Sequence, residues 1–264
     1  MNAGLELMGV VNVTPDSFSD GGLFLDPEAA IAHGRELIEA GAQILDVGGE
    51  STRPGAVPVA EGEELKRVIP VVEGLAGAGA EISVDTSKAA VAAAAIEAGA
   101  TIVNDVTALR GDPAMAALCT GREVTVILMH MRGDPRTMQD DPVYEDVVGE
   151  VREFLAARLA AALEAGIAVE RVWLDPGIGF GKTEGHNLEL LRRLGELRSL
   201  GRPLVVGTSR KSFIGRVDGS DAGRRLGGTI ASSVIAAAEG AEVLRVHDVA
   251  ELAQAIRMTE AVLG

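Results

Sequence analysis

Eight short apolar runs recur from one end of the chain to the other, each followed by a segment with helical character. They are Leu5–Val13, Ile44–Gly48, Ile82–Asp85, Ile102–Val106, Val124–His130, Val172–Asp175, Leu204–Thr208 and Val243–Val246. Most are near-continuous in Val, Ile and Leu, the pattern of parallel strands covered on both faces. The intervening segments have readable ends. Asp26 is placed to cap a helix over Pro27–Ala40, with Pro27 at its first position and Gly41 after its last. Val147, Val148, Val151, Phe154, Leu155, Leu159, Ala162 and Leu163 form one apolar stripe, and Gly166 closes that helix. Ala222–Glu239 is rich in Ala, Ser and Gly, so it packs closely against either a barrel wall or a second subunit. A last amphipathic helix covers Val249–Leu263.

With 264 residues the chain suits two small domains or one α/β barrel. Strand and helix alternate without a break in composition, so a single α/β domain over residues 1–264, a (β/α)8 TIM barrel, is expected. A doubly wound sheet is the alternative. The formal charge of −15 argues against nucleic acid or an anionic membrane as a partner. The one cysteine, Cys119, allows neither an intramolecular disulfide nor a cysteine zinc cluster. No signal-peptide pattern and no apolar run of about 20 residues is present, so a soluble cytoplasmic protein is expected.

In a TIM barrel, ligand chemistry sits at the C-terminal ends of the strands. Here those ends are polar nearly all the way round: Asn12; Asp46 and Glu50; Asp85; Asn104 and Asp105; His130; Asp175; Ser209-Arg210-Lys211; Arg245 and His247. Any one of these is explained by capping, but so many on one rim are not. The sixth run opens into Pro176-Gly177-Ile178-Gly179-Phe180-Gly181-Lys182. A P-loop would need glycine at 176, and a dinucleotide fingerprint would need glycine at 182; neither is there. The stretch is therefore a plain turn with Asp175 as a cap, or a ligand site of another kind.

Longer motifs decide between these. Gly9–Gly22 (GVVNVTPDSFSDGG), Gly48–Gly55 (GGESTRPG), Ser83–Thr86, Asn104–Val106, Asp175–Lys182, Ser209–Phe213 (SRKSF) and Arg245–Val249 (RVHDV) together resemble the dihydropteroate synthase family, in family order. The resemblance implies an enzyme of folate biosynthesis. It would join 6-hydroxymethyl-7,8-dihydropterin diphosphate to 4-aminobenzoate with Mg²⁺, as a homodimer and a target of sulfonamides. It also implies a pterin pocket of Asp85, Asn104, Asp175 and Lys211; Met129 and Phe180 are candidates for its walls, with ordinary barrel packing as the alternative.

These residue types suit that chemistry. Asp175 can accept from the amino and ring N–H groups of a pterin, and Lys211 can donate to its oxo side. Arg245 and His247, two apart on a strand, point the same way and suit a diphosphate. Asn12 offers an amide oxygen to Mg²⁺, a hard cation that keeps several waters. Two long loops, Thr14–Leu25 and Glu50–Val59, are expected to act as lids. On them Asp20 would stabilise the pterin cation or orient the amine, Phe18 would cover the aromatic ring, and Thr52 and Arg53 would hold pyrophosphate. Thr52 and Ser212 would complete the aminobenzoate site. Catalysis would rest on Asp20, Arg53 and Lys211. Asp105, His130 and Lys182 either touch ligand or support residues that do. The competing readings are a methyltetrahydrofolate methyltransferase of the related pterin-binding class and an inactive pterin-binding paralogue.

Overall fold

The computed structural model describes residues 4–14, 26–51, 56–133 and 137–263. Eight parallel strands alternate with helices: β1 Glu6–Asn12, β2 Ile44–Gly48, β3 Glu81–Asp85, β4 Ile102–Asp105, β5 Thr125–Met129, β6 Val172–Asp175, β7 Val205–Val206 and β8 Val243–Val246. The helices are α1 Pro27–Glu39, α2 Glu61–Leu75, α3 Ala89–Ala98, α4 Met115–Arg122, α5 Val147–Glu164, α6 Glu184–Arg192, α7 Ser212–Asp218, α8 Leu226–Ala238 and α9 Val249–Leu263. The strand order is β6-β5-β4-β3-β2-β1-β8-β7. One bridge between Leu174 and Leu204 brings β6 alongside β7 and closes the cylinder. A doubly wound sheet is excluded, and the fold is the expected single-domain TIM barrel.

The strands run close to the apolar runs, with β7 the exception. Leu204–Thr208 contracts to two residues. Pro203 has no N–H to give to a ladder. Beyond Val206 the chain turns out of the sheet, and Thr208 places its hydroxyl 2.9 Å from that of Ser233 on α8. Asp26 caps α1 as expected, its side chain accepting from Glu28 N–H. Thr229, Ser232, Ser233, Ala236 and Ala237 are the buried face of α8, so its small residues meet the barrel wall. Leu163 is a correction to the α5 stripe: it is exposed, because an 18-residue helix is longer than the five-residue strand it covers. Among the described residues no helix is long and apolar enough to cross a membrane.

Alternation along the strands sorts residues into two populations. Leu7, Val11, Leu45, Val47, Val103, Val126, Leu128, Val172 and Leu174 face outward and join the main core under the helices. Met8, Ile44, Ile102, Ile127, Val205 and Val243 face inward, with Trp173 packed against them, and form an apolar plug inside the barrel. The next inward positions up the strands are Asp46, Asn104, Met129, Asp175 and Arg245. The plug is therefore a dry floor beneath a polar chamber. Truncating it at Ile127→Ala should lower the unfolding free energy by roughly 2–5 kcal/mol in urea denaturation. A loss under about 0.5 kcal/mol, the ordinary effect of a surface change, would mean that the plug does not bear on stability.

Candidate active site

The centre of the chamber is an ion cluster joining four strands. Arg245 on β8 donates from Nε to Asp46 Oδ2 at 2.6 Å and from Nη2 to Asp85 Oδ2 at 3.0 Å. Asp46 also accepts from Ser83 Oγ at 2.6 Å and from Asn104 Nδ2 at 3.1 Å. A carboxylate only accepts, so the Asn104 amide must turn its nitrogen toward Asp46, and its carbonyl oxygen keeps no part in that contact. Burial and the neighbouring Asp46 charge push Asp85 up to about 7, against the pull of Arg245. Burial works against the Arg245 charge, but Asp46 and Asp85 outweigh it and hold its pKa above the ordinary arginine value.

The glycine-rich turn after β6 forms one wall. Asp175 is buried and accepts from Gly177 N–H through Oδ1 at 2.6 Å. Burial raises its pKa, while that hydrogen bond, Lys211, Arg245 and Lys182 oppose the rise. Two lysines and an arginine thus act on the carboxylate at the end of β6. All three glycines have positive φ, and at Gly177 and Gly181 the backbone of a neighbouring segment leaves no room for a side chain. A Cβ at Gly177 would lie 1.9 Å from the His130 carbonyl oxygen, and one at Gly181 would lie 2.5 Å from that of Arg132. At Gly179 it would press on the Lys211 stem at 3.1 Å. The turn is therefore wedged between the end of β5 and Lys211. Lys211 Nζ sits 4.0 Å from the centre of the Phe180 ring. Phe180 packs with Val106, Met129, Met131 and Met138 in a small apolar cluster beside the chamber.

The last wall comes from the ends of β7 and β8. Arg210 is left-handed, with φ +57, and its guanidinium is held by Asp248. That turn brings Lys211 inward and leaves Ser212 exposed at the start of α7. His247 Nδ1 lies 2.9 Å from Ser209 Oγ. Asn12 ends β1 on the same inward face as Met8. Among the described residues no three acidic, histidine or cysteine side chains converge as a metal cage. Asn12 offers one amide oxygen, a ligand type that a hard cation such as Mg²⁺ accepts alongside water and phosphate oxygens. Phe18, Asp20, Thr52 and Arg53 lie outside the described residues.

The chain matches the family model described as pterin binding enzyme over residues 8–247. It is 50% identical over 260 residues to the dihydropteroate synthase of Escherichia coli strain K12, covering 98% of this chain and 92% of that protein. A Yersinia pestis dihydropteroate synthase solved with a sulfonamide drug complex superposes with a TM-score of 0.94 at 45% identity, over 98% of this chain and 94% of that one. The Xanthomonas albilineans enzyme in complex with 7,8-dihydropteroate does so with a TM-score of 0.90 at 45% identity, over 99% and 95%. The chain belongs to the dihydropteroate synthase family. Members of that family are transferases that condense a pterin diphosphate with 4-aminobenzoate.

The chain brings Asp85, Asn104, Met129, Asp175, Phe180, Lys211 and Arg245 around one chamber. Two of the undecided residues have structural duties. Asp105 faces outward and is consumed by its own turn, accepting from Thr107 and from Leu109 N–H. His130 turns outward to Lys182 and packs edge-on against Phe154 of α5. Asp46 belongs to the polar-rim pattern, yet the motifs give it no binding role. A carboxylate in the run Ile44-Leu45-Asp46-Val47, on the same parity as the Ile44 plug residue, is the signal that could have found it. The support for the second loop is also absent from the motifs. Lys88 joins Glu50 to the wholly buried Glu64 at 2.5 Å each, and Glu50 accepts from Val59 N–H at 3.1 Å. Nothing in the sequence marks Lys88, because its partners come from distant segments.

The raised pKa of Asp85 makes stability pH-dependent. Between the ordinary value of 3.8 and about 7 the folded chain keeps a proton that the unfolded chain has lost. This contribution to stability therefore declines as pH rises from about 4 to about 7. In ligand-free urea denaturation, Asp85→Asn should remove that decline, so that the variant gains on the parent protein as pH rises. A constant difference between the two across the range would refute the assignment.

Proposed function

We propose that this chain condenses 6-hydroxymethyl-7,8-dihydropterin diphosphate with 4-aminobenzoate, using the polar chamber for the pterin and its mouth for the diphosphate. The observation that carries the assignment of residues is the convergence of Asp175, Lys211 and Arg245 above the apolar plug. The pterin edge presents an amino group and a ring N–H together. Asp175 has Oδ2 left for such donors while Oδ1 holds Gly177 N–H. Asn104 addresses a ring nitrogen with the part of its amide that Asp46 does not hold, and Asp85 takes another. Lys211 moves from the Phe180 ring to the oxo side of the ligand. Met129 and Phe180 supply the flat walls.

Asn12 and His247 hold the diphosphate, with Thr52 and Arg53 of the second loop assigned to it as further donors. Arg245 faces it with Nη1, since Nε and Nη2 are engaged by carboxylates. The reaction breaks the bond between the exocyclic carbon and its oxygen, and pyrophosphate leaves with the electron pair. The resulting cation is conjugated with the pterin ring, and Asp20 stabilises it or orients the amine. The neutral arylamine attacks the carbon and then loses a proton. Fixed cations around the leaving group act where negative charge develops. A bound Mg²⁺ supplies further positive charge at the diphosphate. Phe18, Thr52 and Ser212 hold the aminobenzoate, the site a sulfonamide would occupy. The chain acts as a homodimer in this reading, a second copy covering the exposed Leu226, Ile235, Met258 and Val262 of the adjoining helices α8 and α9.

Pyrophosphate release by the purified protein should require aminobenzoate, the pterin diphosphate and Mg²⁺ together, with dihydropteroate identified by mass spectrometry. Release indifferent to aminobenzoate would reject the reading. Arg53→Ala should reduce turnover roughly 100-fold while leaving pterin affinity nearly intact, the signature of a group that acts on the leaving group. Unchanged turnover would remove Arg53 from the mechanism.

A further inference from the structure

The turn that carries Asp175 and Phe180 is held from beneath by a buried lysine. Lys182 is 1% exposed. Its amine donates to the Gly177 carbonyl at 2.9 Å and to the Phe180 carbonyl at 3.0 Å, and lies 2.8 Å from His130 Nδ1. These bonds span the turn: Gly177 is the residue whose N–H fixes the Asp175 carboxylate, and Phe180 carries the ring. A lysine inside a protein normally sits against a carboxylate. This one sits against two main-chain carbonyls and an imidazole. The rest of the turn is tied just as closely. Gly179 N–H donates to Asn187 Oδ1 at 2.7 Å, the Gly179 carbonyl accepts from Gln139 Nε2 at 2.7 Å, and the Gly181 carbonyl accepts from the Tyr144 hydroxyl at 2.8 Å.

The geometry points to Lys182, braced by His130, as a positioning residue that sets the Asp175 carboxylate and the Phe180 ring for the pterin. A turn built on positive-φ glycines has many backbone shapes open to it, and Lys182 selects one by joining the Gly177 and Phe180 carbonyls. Burial pulls the pKa of Lys182 well below the ordinary lysine value, and burial followed by the Lys182 charge takes that of His130 down to about 2. The imidazole is therefore neutral. Its Nδ1 accepts from the ammonium form of Lys182, or donates to the amine form, so the brace persists in either state. Lys182 does not contact the pterin itself. The inference rests on the pterin-site reading above.

Lys182→Met keeps the buried stem and removes the amine. We expect the pterin diphosphate to bind at least about tenfold more weakly, in both its dissociation constant and its KM, the size of one lost polar interaction. The aminobenzoate KM should stay within about twofold, since the turn carries none of the residues assigned to the aminobenzoate. Lys182→Gln, which keeps N–H donors one atom short of the carbonyls, should recover part of the pterin affinity. A role confined to stability would lower the folded fraction and leave both KM values where they were; that result overturns the proposal. If Lys182→Met does not accumulate as folded protein, His130→Leu takes its place, with the same selective rise in pterin KM expected and unchanged pterin KM again overturning it. Asp175→Asn is the reference. If it too leaves pterin affinity unchanged, the pterin-site reading fails; if it alone abolishes binding, only the role of Lys182 fails.

Discussion

The structure depends on a charge balance inside the barrel, where Arg245 stands between Asp46 and Asp85. A closed sheet of eight strands leaves an interior that side chains must fill, and apolar packing fills only its lower part. Above the plug the chain places two carboxylates and a guanidinium instead. Leaving any one of them without its partners would strand a buried charge, at a cost of several kcal/mol. The arginine ties β8 to β2 and β3, and Asp46 extends the tie to β4 through Asn104. The same contacts that satisfy the interior fix which atoms remain for a ligand. In the proposed reading stability and recognition draw on one set of hydrogen bonds, so a substitution at Asp46 would disturb both.

The glycine-rich turn follows a related logic with the opposite economy of size. Its three glycines all take positive φ, and at Gly177 and Gly181 neighbouring backbone also leaves no room for a Cβ. What the turn lacks in side chains it receives from others, with Asn187, Gln139, Tyr144 and Lys182 each taking one or two of its backbone groups. These donors and acceptors come from α6 and its approach and from the segment between β5 and α5. The wall of the chamber is thereby built of backbone held at several points.

The barrel could be read from the sequence because the strands are apolar on both faces and the helices begin and end at recognisable residues such as Asp26, Pro27 and Gly166. The rim could be read as well, since Asn104, Asp175 and Lys211 stand in motifs with little other use. Asp46 was legible on the rim but not as the partner of Arg245, and Lys88 escaped altogether. Their meaning lies in partners 24 to 199 residues away in the chain, which periodicity does not pair. Asp105 looked like its neighbour Asn104 and proved to face the other way, a matter of strand parity that one residue decides. Leu163 obeyed the helical period and still emerged at the surface, because period says nothing about where the covered strand stops.

The seam between β6 and β7 is the thinnest place in the cylinder, joined by one bridge, the hydrogen bond from Leu174 N–H to the Pro203 carbonyl, and Arg202 Nε donating to the Val172 carbonyl. Asp175 ends the strand on one side of it, and Lys211 follows the strand on the other. Any guest gripped by both residues spans that gap and serves as the missing rungs. The staves of the barrel are then hooped by their own cargo, and an empty chamber is also the looser one.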